Sequence, residues 1–552
     1  MAGVAGIEPA SAVLETVILP LYYTPNLNTN ARYYCNAVQL GLPLDLELML
    51  DKNDMVFSFL DAIEGVDLSG YVKQIRSNNT KSHDRGVLLR TALFGYMINR
   101  RSLDELEESC KTDVRFMMLS QNERPSHMAF QRLFSELTTT MEDIFFEISS
   151  HMAKDKMLCN LNVQYVDGTK IEANANKNSF VYKKRIINTR ERLFEKITDL
   201  ICKLYLEYRY NIPIKKEYDS LDIGYICQYL MEVMVRENIE INYGKGHKKH
   251  KIQKLYDEFL GYYVKLMEYE YWLDILQERN SCSKIDHDAT FMATKWDYYN
   301  QSGQTRPCYN CQIAVSDGII VNAGVYQNPA DTLTWQDFME QYKRYYGCYP
   351  KWPVADAGYG SYDNYFFNIL KGIELVQKYT MYGKKEDKEF RKKKYNTFNW
   401  ETNDEGYKIC PSGRTFDQYV RDRLRITNRG NMTITHLYCE KGKCEGCPFR
   451  NECLKEAPYK YVGKDVIQEE FHAIVDANLN SEQGKEMRKQ RSIQVEGAFG
   501  VIKQNMKFTR FMRRGMKNVK MEFLLVCLGY NFRKYHYFRL QNRDNNINNF
   551  MN

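Results

Sequence analysis

The strongest constraint on the fold is the order in which helix-like and strand-like patterns follow one another. Apolar residues recur at helical spacing from 42 to about 156, which predicts a compact helical domain. The next segment, NLNVQYVDGTKIEA, alternates apolar and polar residues and predicts a strand that ends at Asp167. Two β-branched runs joined at Asp317-Gly318 predict a hairpin, and a short strand in YPKWPVADAGYG ends at Asp356. The pattern predicts an α/β fold whose mixed sheet follows an all-α N-terminal domain.

Two long segments interrupt the strand-like patterns. Residues 181–283 are helical and rich in Lys and Glu, and they include the basic run GKGHKKHK. Residues 381–483 contain a cysteine cluster, and helical spacing of Val495, Phe499 and Ile502 follows it. The predicted layout is a non-native or disordered leader (1–26), a helical N-terminal domain (27–156), an α/β core (157–180, 284–380 and 484–540), a helical insertion (181–283), a Cys-rich insertion (381–483) and a polar tail (541–552).

The positive charge is concentrated near the C-terminus. The 552 residues include 77 Lys and Arg against 70 Asp and Glu, a net charge of +7. Residues 484–540 alone have 14 Lys and Arg against three Glu, or +11, so the remainder is −4. This excess favours phosphate binding over a merely solvated basic face, because the charge is interleaved with Phe508 and Phe511. No run approaches the ~18 apolar residues of a membrane span, which predicts a soluble protein.

Three carboxylates occupy positions suited to a shared acidic pocket. Asp167 and Asp356 are predicted at the ends of two strands, and Glu496 lies on a late helix. Adjacent strands could bring the first two acids together, and a helix packed across that edge could add the third. Such a pocket suits two divalent cations in phosphodiester chemistry, and Mg²⁺ needs few protein carboxylates. Taken alone, an Asp-Gly pair at a strand end is more often a turn.

The cysteines favour a metal site over a disulfide framework. Fifteen cysteines occur in a chain without an export signal, which is typical of a reducing compartment. The spacing of Cys444, Cys447 and Cys453, with Cys410 upstream, matches a tetrahedral structural Zn²⁺ site, and Cys439 is the spare. Free structural thiols are the simpler alternative, and an iron–sulfur cluster is disfavoured by the hydrophilic surroundings.

Four segments together resemble bacterial insertion-sequence transposases of the DDE type, in particular those with a long, interrupted DDE domain. They are YVDGTKIEANANKNSFVYKK, DATFMATK followed by YNCQIAV, VADAGYGSYDNY, and RSIQVEGAFGVIKQNMKFTRFMRRG. Their order matches that family, and the resemblance extends from about residue 42 to about residue 534. One departure concerns Arg491, which lies five residues before Glu496 where related families have four, and the expected Tyr before it is absent.

The resemblance implies a ribonuclease-H-like catalytic core in which Asp167, Asp356 and Glu496 bind two Mg²⁺ or Mn²⁺ ions. It implies cleavage at terminal inverted repeats, transfer of the 3′-hydroxyl ends to target DNA, and a homodimer on DNA. The helical N-terminal domain would then serve DNA binding and dimerisation, in the bacterial cytoplasm near the nucleoid. Lys503 carries over as a phosphate contact more securely than Arg491. The predicted DNA-binding residues are Lys503, Arg491, Lys507, Arg510, Arg513 and Arg514.

Two other functions compete with this interpretation. A catalytically inactive, transposase-derived DNA-binding regulator would share the basic segment, although an intact acid triad argues against it. A carboxylate-pair glycoside hydrolase would use acids and aromatics, but the basic segment suits phosphate better.

Several other residues receive simpler interpretations. His127 is interpreted as a cap or surface residue, and His247 with His250 as an improbable metal site. Cys308 and Cys311, which a strand would point to opposite faces, are assigned to packing. Four acids near the motifs could support the metal ligands or act as turn and helix caps: Glu172, Asp286, Asp288 and Asp331.

Overall fold

The computed structural model describes residues 50–74, 83–243, 248–294, 303–385, 387–454 and 456–551. The predicted leader (1–26), the start of the predicted N-terminal domain and His247 lie outside these ranges. Side chains are described for all of these ranges except 72–74 and 543–551.

Seven helices form the N-terminal part of the described chain. Side chains cap three of these helices at their N-termini: Asp54 and Asp84 accept hydrogen bonds from helix N–H groups, and Ser102 forms a capping box with Glu105. The helices are α1 (Met55–Ile63), α2 (Ser69–Gln74), α3 (Arg85–Met97), α4 (Leu103–Thr112), α5 (Val114–Leu119), α6 (His127–Leu137) and α7 (Met141–His151), followed by a π-helical turn (Met152–Lys156). This confirms the helical character predicted for the region.

A mixed sheet occupies the centre of the molecule. The strands before residue 360 are β1 (Val163–Glu172), β2 (Phe180–Tyr182), β3 (Ser281–Ser283), β4 (Thr290–Ala293), β5 (Thr305–Ser316), β6 (Ile319–Tyr326) and β7 (Trp352–Val354). Strand β5 pairs antiparallel with β1 on one side and with β6 and β4 on the other, and β7 pairs parallel with β1. The chain is therefore a mixed α/β protein, as predicted.

The β5–β6 hairpin forms at the predicted turn. Asp317 and Gly318 both have positive φ, 46° and 87°, as the tight hairpin turn requires.

Strand β1 does not end at Asp167, and the sequence-based prediction of its end is wrong. The strand continues to Glu172, because β5 pairs with it along its length and Gly168 lies opposite Gln312. A Cβ at position 168 would lie 2.3 Å from Nε2 of Gln312. Glycine is therefore present to admit this buried side chain within the sheet, and Asp167-Gly168 is not a turn.

A helical segment projects from the sheet region between β2 and β3. Its helices are α8 (Lys183–Tyr208), α9 (Ser220–Arg236) and α10 (Lys251–Leu276). They bury their own hydrophobic cluster, which includes Ile197, Leu230 and Phe259. Because β2 and β3 pair antiparallel, the segment leaves and returns at neighbouring points.

Helices α11 (Trp335–Tyr346) and α12 (Tyr362–Lys371) flank β7 in sequence, and the Cys-rich segment follows them. Its elements are α13 (Lys388–Arg391), β8 (Glu401–Thr402), β9 (Lys408–Ile409), β10 (Gln418–Ile426), β11 (Met432–Cys439), α14 (Arg450–Leu454) and β12 (Val462–Lys464). Strands β10, β11 and β12 form a separate antiparallel sheet in that order. A small cluster of Trp400, Phe416 and Val462 lies inside the segment.

Helix α15 (Val466–Asn480) falls within the range predicted for the Cys-rich insertion but packs elsewhere. It contacts α12, and its Phe471, Val475 and Leu479 belong to the large hydrophobic core. The segment with its own small core therefore ends before α15.

The C-terminal region consists of helices that close the core. Helix α16 (Glu482–Arg491) continues through π-helical turns (Ser492–Glu496 and Val501–Asn505) on either side of α17 (Gly497–Gly500). Helix α18 (Met516–Met551) extends through the segment predicted as a polar tail. No helix in the described part of the chain is long and apolar enough to cross a membrane.

The N-terminal helices and the sheet share one hydrophobic core. Helix α18 packs against α1, α3, α7 and β6, so it joins the two parts. Phe59 of α1 lies 5.0 Å from Phe532 of α18, measured between ring centroids. The N-terminal helices are thus packed into the body of the molecule and do not have a core of their own.

Candidate active site

The parallel pairing of β1 and β7 brings Asp167 and Asp356 together. Tyr165 of β1 pairs with Val354 of β7, and each acid lies two residues further along its strand direction. Asp356 follows the end of β7, as predicted, whereas Asp167 remains within β1. Side-chain exposure is 22% for Asp167 and 46% for Asp356, so Asp167 is partly buried and Asp356 is more open to solvent.

Arg491 bridges the two acids. Its Nη2 lies 3.2 Å from Oδ1 of Asp167 and 3.7 Å from Oδ2 of Asp356. Only 12% of its side chain is exposed, and its buried Nε has no hydrogen-bond partner in the structure. Sequence reasoning had interpreted Arg491 as a DNA contact. The structure places its charge between the two carboxylates.

Glu496 lies on the helical segment that carries Arg491, five residues further on. Helix α16 packs against β1 and β7, and the following turn packs against β1 and β5. Val495, Phe499 and Ile502 are buried as their spacing predicted, while the Glu496 side chain is exposed. No contact joins Glu496 to Asp167 or Asp356 within the described residues, so the structure brings two of the three predicted acids together.

The environment of Asp167 opposes its ionisation. Burial raises the pKa of Asp167 above its ordinary value, and the negative charges of Asp356 and Asp331 act in the same direction. The positive charge of Arg491 and a hydrogen bond from the Gly168 N–H act against that rise in pKa. The guanidinium of Arg491 therefore offsets part of the cost of ionising Asp167.

A buried polar network supports the acids from within the sheet, and sequence reasoning missed most of it. Gln312 donates to Oδ1 of Asp331 at 2.9 Å, and the hydroxyl of Tyr359 donates to Oε1 of Gln312. Asn310 also donates to Asp331 (2.7 Å), and Lys170 forms an ion pair with it (3.1 Å). Gln312 and Asn310 are fully buried. In the sequence they are polar residues within a run of apolar neighbours, and this is the only signal that could have revealed them.

The predicted DNA-binding residues after Glu496 have varied surroundings. Lys503 contacts Oγ1 of Thr169 on β1. Arg510 donates to the carbonyl oxygens of Ala173 and Ala175, and Arg514 donates to that of Asn174.

The two remaining basic residues differ in their burial. Lys507 is exposed, and its carbonyl oxygen accepts a hydrogen bond from Arg101 at 3.3 Å. The guanidinium of Arg513 lies 4.4 Å from the centroid of the Phe134 ring. Phe508 and Phe511 are buried and stack edge-on with each other, so they belong to the core and do not form an aromatic surface for bases.

The four other acids near the motifs all have structural partners. Glu172 forms an ion pair with Arg306 (2.8 Å). Asp286 accepts hydrogen bonds from the Tyr309 hydroxyl (2.9 Å) and the Gly515 N–H, and Asp288 accepts one from the Met516 N–H. Asp331 alone of the four lies near the acid pair.

The histidines and strand cysteines also have structural surroundings. His127 begins helix α6, where its Nδ1 lies 2.8 Å from Glu107. His250 caps α10, and Cys308 and Cys311 are fully buried, in agreement with a packing role.

The four predicted zinc ligands line one small cavity of about 20 Å³ in the Cys-rich segment. Oγ of Ser412 lies 3.1 Å from Sγ of Cys410 and 3.6 Å from Sγ of Cys447. Lys460 approaches Sγ of Cys453 at 3.4 Å, and the cavity is also lined by Cys444. None of these thiols forms a disulfide. The cavity has room for one ion or water, and its donors are those that Zn²⁺ prefers.

The side chains at the acid pair and in the cysteine cavity are of the types that Mg²⁺ and Zn²⁺ prefer. At neither site, however, do enough of the described side chains lie close together to form a complete ligand set. Among the described residues, no three His, Cys, Asp or Glu side chains meet closely enough to form a ligand set. At the acid pair, carboxylate oxygens are the ligands that Mg²⁺ prefers, and Arg491 supplies the positive charge that they share.

Part of the chain matches a known protein family. Residues 409–536 match the transposase DDE domain family. The match includes Arg491, Glu496 and the cysteine cluster, and it confirms the resemblance to DDE-type transposases. Asp167 and Asp356 lie upstream of it. Neither the curated proteins nor the solved structures contain a match to the chain.

Proposed function

We propose that this chain is a DNA transposase that binds the inverted repeats at the ends of an insertion sequence, cleaves there and transfers the 3′-hydroxyl ends to target DNA. The observation that carries the proposal is the adjacency of Asp167 and Asp356 on parallel strands, joined by Arg491 from the helical segment that leads to Glu496. The transposase DDE domain match over that segment supports the same assignment.

The sheet order supports a ribonuclease-H-like core. Strands β6, β5 and β1 are antiparallel neighbours, and β7 adds to β1 in parallel. Ala355, directly after β7, makes a parallel bridge to Gln377, which adds a further strand position at that edge. In this interpretation residues 181–283 and the Cys-rich segment are insertions, and the helical N-terminal domain binds DNA and mediates dimerisation.

Asp167 and Asp356 would hold divalent ions here, and such ions would supply the activation of a water or a DNA 3′-hydroxyl and the stabilisation of the leaving oxygen. Asp167 and Asp356 hold the metal-binding oxygens side by side, and the helix that carries Glu496 packs across the same strands. Lys503 approaches β1 through Thr169, two residues beyond Asp167, where its ammonium can bind a substrate phosphate. Arg491 shares its positive charge between Asp167 and Asp356, and if cations took its place its guanidinium would be free to bind a phosphate oxygen.

Strand cleavage with carboxylate variants tests this function. Asp167→Asn and Glu496→Gln should abolish Mg²⁺-dependent nicking of a duplex that carries the element end, while duplex binding persists. Glu482→Gln is the matched control, because Glu482 lies on the same helical run with 94% of its side chain exposed. Retained nicking by either site variant would contradict the assignment.

The same assay separates the transposase from a catalytically inactive DNA-binding regulator. A regulator would bind the duplex in the wild-type form but would not cut it under any metal condition.

Assembly into a homodimer on DNA is a further part of the proposal, because concerted cleavage of two ends needs two active sites. Sedimentation of the protein with and without the end duplex measures that assembly. The proposed location is the bacterial cytoplasm, at the nucleoid.

A further inference from the structure

The two-stranded ribbon formed by β10 and β11 projects an unpaired arginine row into solvent. The arginine ribbon is defined as residues 418–439, and its net charge is +3, from four Arg and one Asp. Strand β10 is the edge of its sheet, and eight of its nine residues are exposed. Both faces of β10 are therefore open to solvent, and neither face is buried against a core.

The register of the ribbon places its arginines on one face. Arg421, Arg423 and Arg425 alternate along β10 and lie opposite Leu437, Thr435 and Thr433 of β11. All three arginine side chains are exposed. No carboxylate in the described chain lies within ion-pair distance of these three guanidinium groups.

The other face of the ribbon has a different composition. Leu424, Ile426 and Met432 are exposed there, and the one acid of the ribbon, Asp422, pairs with His436 at 2.7 Å on that same face. The three arginines therefore share one face, and the exposed apolar side chains lie with the Asp422–His436 pair on the other. The arginine face has no internal counter-charge, so its partner must supply negative charges in a row.

The tip of the ribbon is anchored beside the acid pocket. Thr427 and Asn431 both donate to Oδ1 of Asp363, at 2.6 and 2.7 Å, in the first turn of α12. Arg429 donates to the carbonyl oxygen of Leu333 (3.0 Å), two residues after Asp331. These contacts fix the ribbon between the cysteine cavity and the loops that carry the acidic site.

We propose that the arginine face of this ribbon is a DNA-binding surface that holds the phosphate backbone of the duplex next to the active site. Alternate residues of a strand recur every ~6.8 Å, so the three arginines span ~14 Å. The phosphates of one DNA strand recur every ~3.4 Å along the helix axis, so this span covers about four of them. The proposal rests on the proposed function for its choice of DNA, and adds a contact surface outside the segment 484–540.

The test is the salt dependence of binding to a duplex that carries the element end. The triple variant Arg421→Gln, Arg423→Gln, Arg425→Gln should bind more weakly, and the slope of log K against log salt should fall in magnitude by about 2 to 3, because each lost phosphate contact removes about 0.9. The matched control removes three exposed charges from helix α8 and should leave the slope unchanged. Its changes are Arg185→Gln, Arg192→Gln and Lys196→Gln.

Further variants keep the result interpretable. Replacement of the same three arginines by lysine preserves the charge and should preserve most of the slope, whereas a folding defect would weaken both triple variants and lower their thermal midpoints. An unchanged slope in the glutamine triple variant overturns the ribbon proposal, even if the wild type cleaves DNA. Wild-type binding without cleavage, with the predicted loss in the triple variant, supports the ribbon while contradicting the transposase function. No duplex binding by the wild type overturns both.

Discussion

Nη2 of Arg491 lies 3.2 Å from Oδ1 of Asp167 and also pairs with Asp356, so the two acids share one positive charge. We expect Arg491→Gln to lower the free energy of unfolding by about 1 to 2 kcal/mol in the presence of a chelator, because two partly buried carboxylates lose their shared cation. Added Mn²⁺ should raise the thermal midpoint of the variant by more than that of the wild type. Thermal unfolding with and without the metal measures both effects.

Lys485→Gln is the matched control for this experiment. Lys485 lies on the same helix but pairs with Glu482, at the surface. Its removal should change the thermal midpoint little in either condition. Equal metal responses of the wild type and the Arg491 variant would contradict the proposed charge-balancing role.

The adjacency of the two acids could be predicted, but the group between them could not. Parallel strands that each carry an acid near the same edge bring those acids together, and local alternation in the sequence reveals such strands. The partner of the acids depends on how a helix more than 130 residues later crosses the sheet. The sequence therefore predicted Arg491 as a DNA contact and gave no sign that it lies between the two acids.

Gly168 offers a second test, because its missing side chain makes room for Gln312. A Cβ there would lie 2.3 Å from Nε2 of Gln312, which is held by Asp331 and Tyr359 and cannot move away cheaply. We expect Gly168→Ala to cost about 1 to 3 kcal/mol of stability through overpacking. Denaturant unfolding measures the loss.

Gly497 provides the comparison for that substitution. It is a helical glycine next to Glu496, and an added Cβ would meet nothing within 4 Å. Gly497→Ala should therefore stabilise the protein, by up to about 1 kcal/mol, because alanine has the higher helix propensity. A destabilisation equal to that of Gly168→Ala would show that the close contact with Gln312 is not the cause.

The shared core is a feature of the fold that the sequence could not reveal. Helical spacing identified the N-terminal helices and the late apolar run, but it could not reveal that α18 packs into both halves. The same limitation affected Phe508 and Phe511, whose basic neighbours suggested a nucleic-acid surface although both rings are buried. Periodicity reports which face of an element is apolar and does not identify the element that covers it.

His536 links this packing to pH. Its Nδ1 lies 2.9 Å from Oγ of Ser58 on α1, and burial lowers the pKa of His536 below its ordinary value. The folded state therefore binds fewer protons than the unfolded state, and the stability that this residue contributes is present above a pH of about 6.5 and lost as the pH falls. We expect His536→Gln to reduce the fall in thermal midpoint between about pH 7.5 and pH 5.5.

The exposed His127 is the control for the pH experiment. It lies at the surface beside Glu107, away from the contact between α1 and α18. His127→Gln should leave the acid-induced loss of stability at least as large as in the wild type. An identical pH dependence of the wild type and His536→Gln would contradict the role assigned to the buried histidine.

The cysteine cavity predicts a structural zinc ion. Four thiols line this cavity, and the hydrophobic cluster of the segment contains only a few apolar side chains. Because so small a cluster stabilises the segment little, a bound metal would supply much of its stability. We expect about one zinc per chain in protein purified under reducing conditions, and a fall in thermal midpoint on chelation. Cys447→Ser should reduce the zinc content, whereas Cys348→Ser, at an exposed cysteine outside the cavity, should not. Metal-free protein whose midpoint is insensitive to chelation would identify the four thiols as free structural cysteines.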